Sequence, residues 1–282
     1  MSVSELRPNL QLVPTRSIRF HEQPEPSRTT RLMDRIQREL TLRNPPIVAG
    51  MANGDYLLLD GANRVTAFLD MKYPEIPVQV VDYGHESIQL KGWHHLLLQA
   101  QALNLCKRYD ALPGVSMRQV TYGELATLLE LRRVYAVLVD GSAAAWGLFP
   151  DSAATPPIGQ RIAVLDQVIG AYEGNSRLER IKLADYSKLP EVIRSIDHQL
   201  CLFPVLRKEE LLQLAVDGVL IPTGITRHLI PGRALGINLP LGFLRDLPDA
   251  ASRQRHFADH LQKLEMEGRI RFYEESVFIM NE

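Results

Sequence analysis

Cysteine is scarce in this chain. Only Cys106 and Cys201 occur among 282 residues, far apart and in apolar surroundings. A disulfide framework and a cysteine-rich zinc site are both excluded, and two unpaired thiols suit a reducing compartment, the cytoplasm. An excess of one charge is missing as well. Lys and Arg number 32 and Asp and Glu 33, a formal net charge of −1. No global basic field exists to hold nucleic acid or an anionic membrane. No apolar run approaches the ~18 residues that span a bilayer. Met1–Leu10 carries Glu5, Arg7 and Pro8 and no apolar centre, so no secretory signal is expected. Walker A, GxGxxG, GxSxG and protein-kinase motifs are all absent. There is no internal repeat and no low-complexity tract.

What is present is globular. Apolar residues make up 45% and charged residues 23%, which excludes a disordered or fibrous chain and allows one large domain or two smaller ones. Residues 10–20 read as an extended segment broken by Pro14, and Arg28–Leu40 as a helix with Leu32, Ile36 and Leu40 inward. Arg28, Arg31, Arg35 and Arg38 share another face, either a solvated surface or a contact for phosphate or nucleic acid. Asn44–Ala49 reads as a turn into a short strand, Asn53-Gly54-Asp55 as a hairpin turn, and Tyr56–Leu59 as a buried strand. A helix from Ala62 and a strand over Ile76–Val81 follow. Further on, Arg133–Asp140 and Ala143–Phe149 predict a hairpin and Ile162–Tyr172 a helix. Leu200–Val205 and Val219–Ile221 read as strands, and Lys208–Asp217 as a helix between them. A helix over Ala250–Glu267 has Phe257, Leu261 and Leu264 inward and stops at Gly268. Ile270, Phe272, Val277 and Ile279 alternate like a closing hairpin.

Five constellations could carry chemistry. Asp60-Gly61-Ala62-Asn63-Arg64 joins a strand to a helix, where unpaired N–H groups, the helix dipole and the Arg64 fork suit phosphate. Asp60 could hold Mg2+ or orient a reacting group; the plainer reading is an Asp N-cap. His21-Glu22-Gln23-Pro24-Glu25-Pro26 sets two carboxylates in a stiff loop, and Glu22 or Glu25 could take a proton from a phosphoryl acceptor. Lys91-Gly92-Trp93-His94-His95 could wall a small-molecule pocket. Its adjacent histidines point to opposite faces of a strand, and the plainer reading is a packed Trp with half-exposed histidines. Pro222–His228, followed by Pro231-Gly232-Arg233, packs polar donors between glycine turns, and Arg227 and His228 could bind an anion. His256 and His260 have i, i+4 spacing but lack the HExxH glutamate, so zinc is not expected.

Taken in order, these residues resemble the free L-serine kinase family, which is built on a ParB/sulfiredoxin-like N-terminal domain. The resemblance runs through Leu12-Val13-Pro14, His21-Glu22, Asn44–Val48, Asp60–Arg64, Val78-Gln79 and Trp93-x-His95. It continues at Tyr172-Glu173-Gly174, Glu179-Arg180-Ile181, Val219–Arg227, Gly232-Arg233 and Leu239-Pro240-Leu241. It implies an α+β fold. Residues 1–90 would be the ParB/sulfiredoxin-like nucleotide domain and 91–282 a mixed domain completing the serine site, with the active site in the cleft between them. The implied reaction moves a phosphoryl group from ATP or ADP, with Mg2+, to L-serine, giving O-phospho-L-serine for cysteine or siderophore-precursor synthesis.

Residue by residue, the resemblance makes Glu22 the general base and Asp60 the acidic residue that handles phosphates and metal. Gly61, Ala62, Asn63 and Arg64 would contact the nucleotide, and Trp93, His95, Thr226, Arg227 and His228 the serine. The family loop usually reads Asp-Gly-x-His-Arg; Asn63 stands here in place of its histidine, able to donate a hydrogen bond but not to carry charge. Two other readings compete: a ParB-like DNA-binding transcriptional regulator and a non-catalytic ligand sensor. The charge balance and the lack of a recognition-helix pattern speak against the regulator.

Overall fold

A computed structural model describes residues 8–100, 103–152, 155–183 and 185–272. The chain forms two compact units: residues 8–18, 24–82 and 230–272 make the first, and residues 19–23 and 83–229 the second. The fold is α+β, as expected.

The first unit begins with β1 (Asn9–Pro14), β2 (Ile18–Arg19), α1 (Pro26–Glu39), β3 (Thr41–Leu42), β4 (Ile47–Gly50), β5 (Tyr56–Asp60), α2 (Ala62–Asp70) and β6 (Glu75–Val81). Five strands form one sheet in the order β1-β6-β4-β5-β2. β4 and β5 pair antiparallel across the turn expected at Asn53-Gly54, where Gly54 takes a φ of +85°. β4 and β6 are parallel. Leu57, Leu58 and Leu59 are all buried, which explains their lack of alternation. α1 starts with proline in its first turn, where the missing N–H costs nothing. Its inward residue is Ile36, whereas Leu40, expected inward, is left-handed at φ 47° and 52% exposed. Leu40 closes the helix, its N–H donating to Ile36.

The second unit holds β7 (Gln89–Gly92), β8 (His94–Leu98), α3 (Leu105–Asp110), β9 (Val115–Val120), α4 (Tyr122–Glu130), β10 (Ala136–Val139), β11 (Ala145–Pro150), α5 (Ile158–Gly170), β12 (Arg177–Ile181), α6 (Leu189–Val192), β13 (Gln199–Leu202), α7 (Lys208–Asp217) and β14 (Thr226–Leu229). Its main sheet has six antiparallel strands in the order β12-β8-β13-β10-β11-β9. Both faces are covered. Leu138 and Cys201 face the core of α5 and α7, while Val137, Val139, Leu200 and Leu202 face that of α4 and α6. A strand buried on both sides needs apolar residues at every position. The expected hairpin is β10–β11, with Ala136 opposite Leu148. β13 ends at Leu202, short of the expected Val205, because Pro204 has no N–H to extend a ladder. Of the strand expected over Val219–Ile221, only a bridge from Ile221 to Glu22 forms. β14 pairs with β7, Thr226 opposite Gly92.

The chain then returns to the first unit with β15 (Leu239–Pro240), paired to β3, followed by α8 (Phe243–Asp246) and α9 (Ala250–Met266). Asp249 caps α9 by accepting from the Ser252 N–H at 2.8 Å. Phe257 is buried, Leu261 and Leu264 are half-buried, and Gly268 follows at φ +63°. Arg253 on α9 pairs with Glu75 of β6 at 2.5 Å. Of the expected closing hairpin, Ile270 and Phe272 are exposed and not in a strand; Val277 and Ile279 lie outside the described residues.

Candidate active site

In the first unit the Asp60 loop is held by charge. Gly61, at φ +105°, turns the chain from β5 into α2. Asp60 does not cap the helix with its side chain. Its Oδ2 instead accepts from an Arg64 Nη at 2.8 Å and from Arg233, which arrives on the returning chain. Burial alone would raise the Asp60 carboxyl, but Arg64 and Arg233 outweigh it and hold it below its ordinary range. The other Arg64 Nη donates to the carbonyls of Asn44 and Pro45, at 3.0 and 2.6 Å. The Gly232–Gly236 segment is fixed on the same side. Gln79 Nε2 donates to the Gly232 carbonyl at 2.9 Å, its Oε1 accepts from the Ala234 N–H at 2.8 Å, and Asn44 Oδ1 accepts from the Gly236 N–H. The Asn63 oxygen accepts from the Glu25 N–H and from the Thr29 hydroxyl, both at 3.0 Å. Asn63 therefore ties the start of α1 to the start of α2. The N–H groups of Ala62 and Asn63, in the first turn of α2, have no acceptor inside the helix.

In the second unit Glu22 is clamped from backbone and side chain. The Ile221 N–H donates to the His21 carbonyl at 2.8 Å, and the Gln23 N–H to the Ile221 carbonyl at 3.1 Å. The Glu22 carboxylate then accepts from the Gly224 N–H at 2.9 Å and from the Thr226 hydroxyl at 2.6 Å. His21 Nε2 lies 3.3 Å from that hydroxyl, and His21 meets His228 edge to face, with 5.4 Å between ring centres. His228 Nε2 is 2.9 Å from the Tyr83 hydroxyl. Thr226 thus touches Glu22 directly, and His21 links it to His228. Glu25, the other carboxylate of the loop, pairs with Arg28 at 3.1 Å and belongs to the first turn of α1.

Arg227 lies over the Trp93 ring, 4.9 Å from its centre, and Lys182 lies at 5.5 Å from the same ring. The histidines beside Trp93 are buried rather than half-exposed, at 5% for His94 and 1% for His95. Burial, with a smaller push from neighbouring charge, lowers both to about 4, so both are neutral. His95 Nε2 is 2.8 Å from the Gly224 carbonyl, and Nδ1 is 2.7 Å from the Tyr172 hydroxyl. A carbonyl only accepts, so Nε2 carries the proton and Tyr172 donates to Nδ1. His95 thereby holds the turn whose N–H grips Glu22. Arg233 and Gln79, which brace the Asp60 loop and the Gly232–Gly236 segment, carry no role in the sequence reading, although Val78-Gln79 and Gly232-Arg233 carry part of the resemblance. His256 stacks on Phe243 and His260 lies 3.0 Å from the Ile237 carbonyl. Among the described residues no three His, Cys, Asp or Glu side chains gather as a metal site, and no helix is long and apolar enough to cross a membrane.

The fold is that of the free serine kinases. A free serine kinase variant solved in complex with ADP superposes with a TM-score of 0.70 at 16% identity, covering 84% of this chain and 95% of that one. SbnI with a C-terminal truncation, from Staphylococcus aureus, superposes with a TM-score of 0.73 at 23% identity, over 90% and 96% of the two chains. In sequence, the chain is a relative of the protein described as ATP-dependent L-serine kinase SbnI from Staphylococcus aureus, 23% identical over 99% of this chain and all of that one. A protein described as ATP-dependent L-serine kinase from Desulfurococcus mucosus is 24% identical over 80% of this chain and 87% of its own length. No family model matches the chain.

Proposed function

We propose that the protein is a free L-serine kinase that transfers the γ-phosphoryl group of ATP to the serine hydroxyl. The observation that carries this reading is the Glu22 carboxylate, fixed in place by the Gly224 N–H and the Thr226 hydroxyl. A positioned carboxylate can take the hydroxyl proton as the serine oxygen attacks phosphorus. The ester O–P bond then forms, the bond to the bridging oxygen breaks, and ADP leaves. Transfer of this kind asks for positioning and charge stabilisation rather than a covalent phosphoenzyme. Trp93, Thr226, Arg227 and His228 surround the serine in this reading, and His95 supports them.

The nucleotide falls to segment 1–90, together with the returning chain that brings Arg233. The N–H groups of Gly61, Ala62 and Asn63 and the guanidinium groups of Arg64 and Arg233 would take its phosphates. The residues fit Mg2+: Asp60 is ionised, and its Oδ1 accepts no hydrogen bond among the described residues. One carboxylate with substrate phosphates is the usual way proteins hold this ion. When bound, Mg2+ supplies charge neutralisation on the phosphate oxygens. The nucleotide and the two free thiols fit a cytoplasmic enzyme supplying O-phospho-L-serine to cysteine or siderophore-precursor synthesis.

Phosphorus NMR of the purified protein with Mg2+, L-serine and either ATP or ADP tests the reading. A phosphoserine resonance with consumption of ATP is expected. Silence with both nucleotides, from folded protein that binds nucleotide, rejects it.

A further inference from the structure

Arg180 lies directly opposite His95 in the β12–β8 ladder, on the edge strand of the sheet. Both residues converge on Gly224. His95 holds its carbonyl, and the Arg180 guanidinium fills the space where a side chain would be. A Cβ on Gly224 would stand 2.1 Å from Arg180 Nε and 2.5 Å from Cζ. Only glycine, here at φ +84°, leaves room for it. The N–H of the same glycine grips Glu22. Arg180 is therefore one residue removed from the proposed base.

Yet Arg180 Nε is shut off from solvent and has no hydrogen-bond partner among the described residues. Its strand neighbours Arg177 and Glu179 pair with each other at 3.6 Å. Polar atoms around Gly224 are committed: His95 Nε2 and the Gly224 carbonyl to each other, and the Gly224 N–H to Glu22. A sheltered guanidinium N–H without an acceptor is a costly arrangement, and buried donors in proteins nearly always have partners. An anion that arrives with the substrate resolves it.

We infer that Arg180 binds the α-carboxylate of the amino-acid substrate, selecting a free amino acid over a neutral alcohol. The inference rests on the serine-kinase reading. The planar fork of arginine matches a carboxylate with two parallel hydrogen bonds. Arg227, next along from Thr226, lies over the Trp93 ring.

The test compares L-serine with L-serinamide, which keeps the hydroxyl and loses the carboxylate. Calorimetric binding and steady-state kinetics are measured on the full chain as wild type, Arg180→Ala and Arg180→Lys. Wild type should bind L-serine more tightly than L-serinamide. Arg180→Ala should weaken L-serine about 10- to 100-fold, the range for a charge-assisted hydrogen-bonding group, and leave L-serinamide and the nucleotide KM within about twofold. Arg180→Lys should recover part of the loss; it also carries the comparison if Arg180→Ala melts early. Equal losses for L-serine and L-serinamide, or unchanged L-serine affinity, overturn the inference. Wild type that binds L-serine without turnover rejects the kinase reading while the binding comparison still decides the role of Arg180. Wild type that does not bind L-serine overturns both.

Discussion

Glu22 and Glu25 are equivalent to a reader of the His21–Pro26 loop, and their surroundings separate them. Glu25 pairs with Arg28 in a helix turn, while Glu22 is aimed by Ile221, Gly224 and Thr226. Glu22→Gln keeps the shape and removes the base, so we expect turnover to fall at least ~10²-fold with the melting temperature nearly unchanged. Wild-type turnover in a folded variant would refute the role. The buried histidines give a pH dependence. His94 and His95 titrate near 4 when folded, against 6.5 ordinarily. The unfolded chain binds more protons between these values, so stability is full above about pH 6.5 and is lost as pH falls towards 4. Each histidine is worth on the order of 3 kcal/mol across that window. Urea midpoints should drop between pH 7 and 5; a flat profile would contradict the burial of neutral rings.

Among the elements, the helices and hairpins with strong local signals are legible: α1, α2, the β4–β5 and β10–β11 hairpins, α7 and α9. What local signals miss is where an element is overruled by its ends. Leu40 fits the apolar stripe of α1, but a left-handed cap turns it to solvent. The Val219–Ile221 run reads as a strand, but only Ile221 finds a partner, and that partner is Glu22. Asn63 is the instructive case, because motif comparison reads it as a nucleotide contact while its oxygen joins α1 to α2. Asn63→Ala leaves the Glu25 N–H and the Thr29 hydroxyl without this acceptor. It should destabilise the protein by about 1–3 kcal/mol, read as a lower urea midpoint with an unchanged slope. No shift would mean the tie contributes nothing.

On the scale of the molecule, residues 230–272 rejoin the N-terminal unit and bring Arg233 to Asp60 and Arg253 to Glu75. Arg233→Ala should therefore weaken ATP binding about tenfold or more, the loss of one charge-assisted contact, and leave L-serine affinity unchanged. Weakened serine binding with intact ATP binding would place Arg233 elsewhere. The ordered residues along the chain were enough to suggest the kinase family, and periodicity was enough for most helices, because both are properties of near neighbours. Which carboxylate is aimed, why His95 is neutral, what fills the space over Gly224 and which arginine guards Asp60 are not local. Each depends on groups dozens to hundreds of residues apart, brought together only when the sheets close and burial removes the water that would otherwise satisfy them.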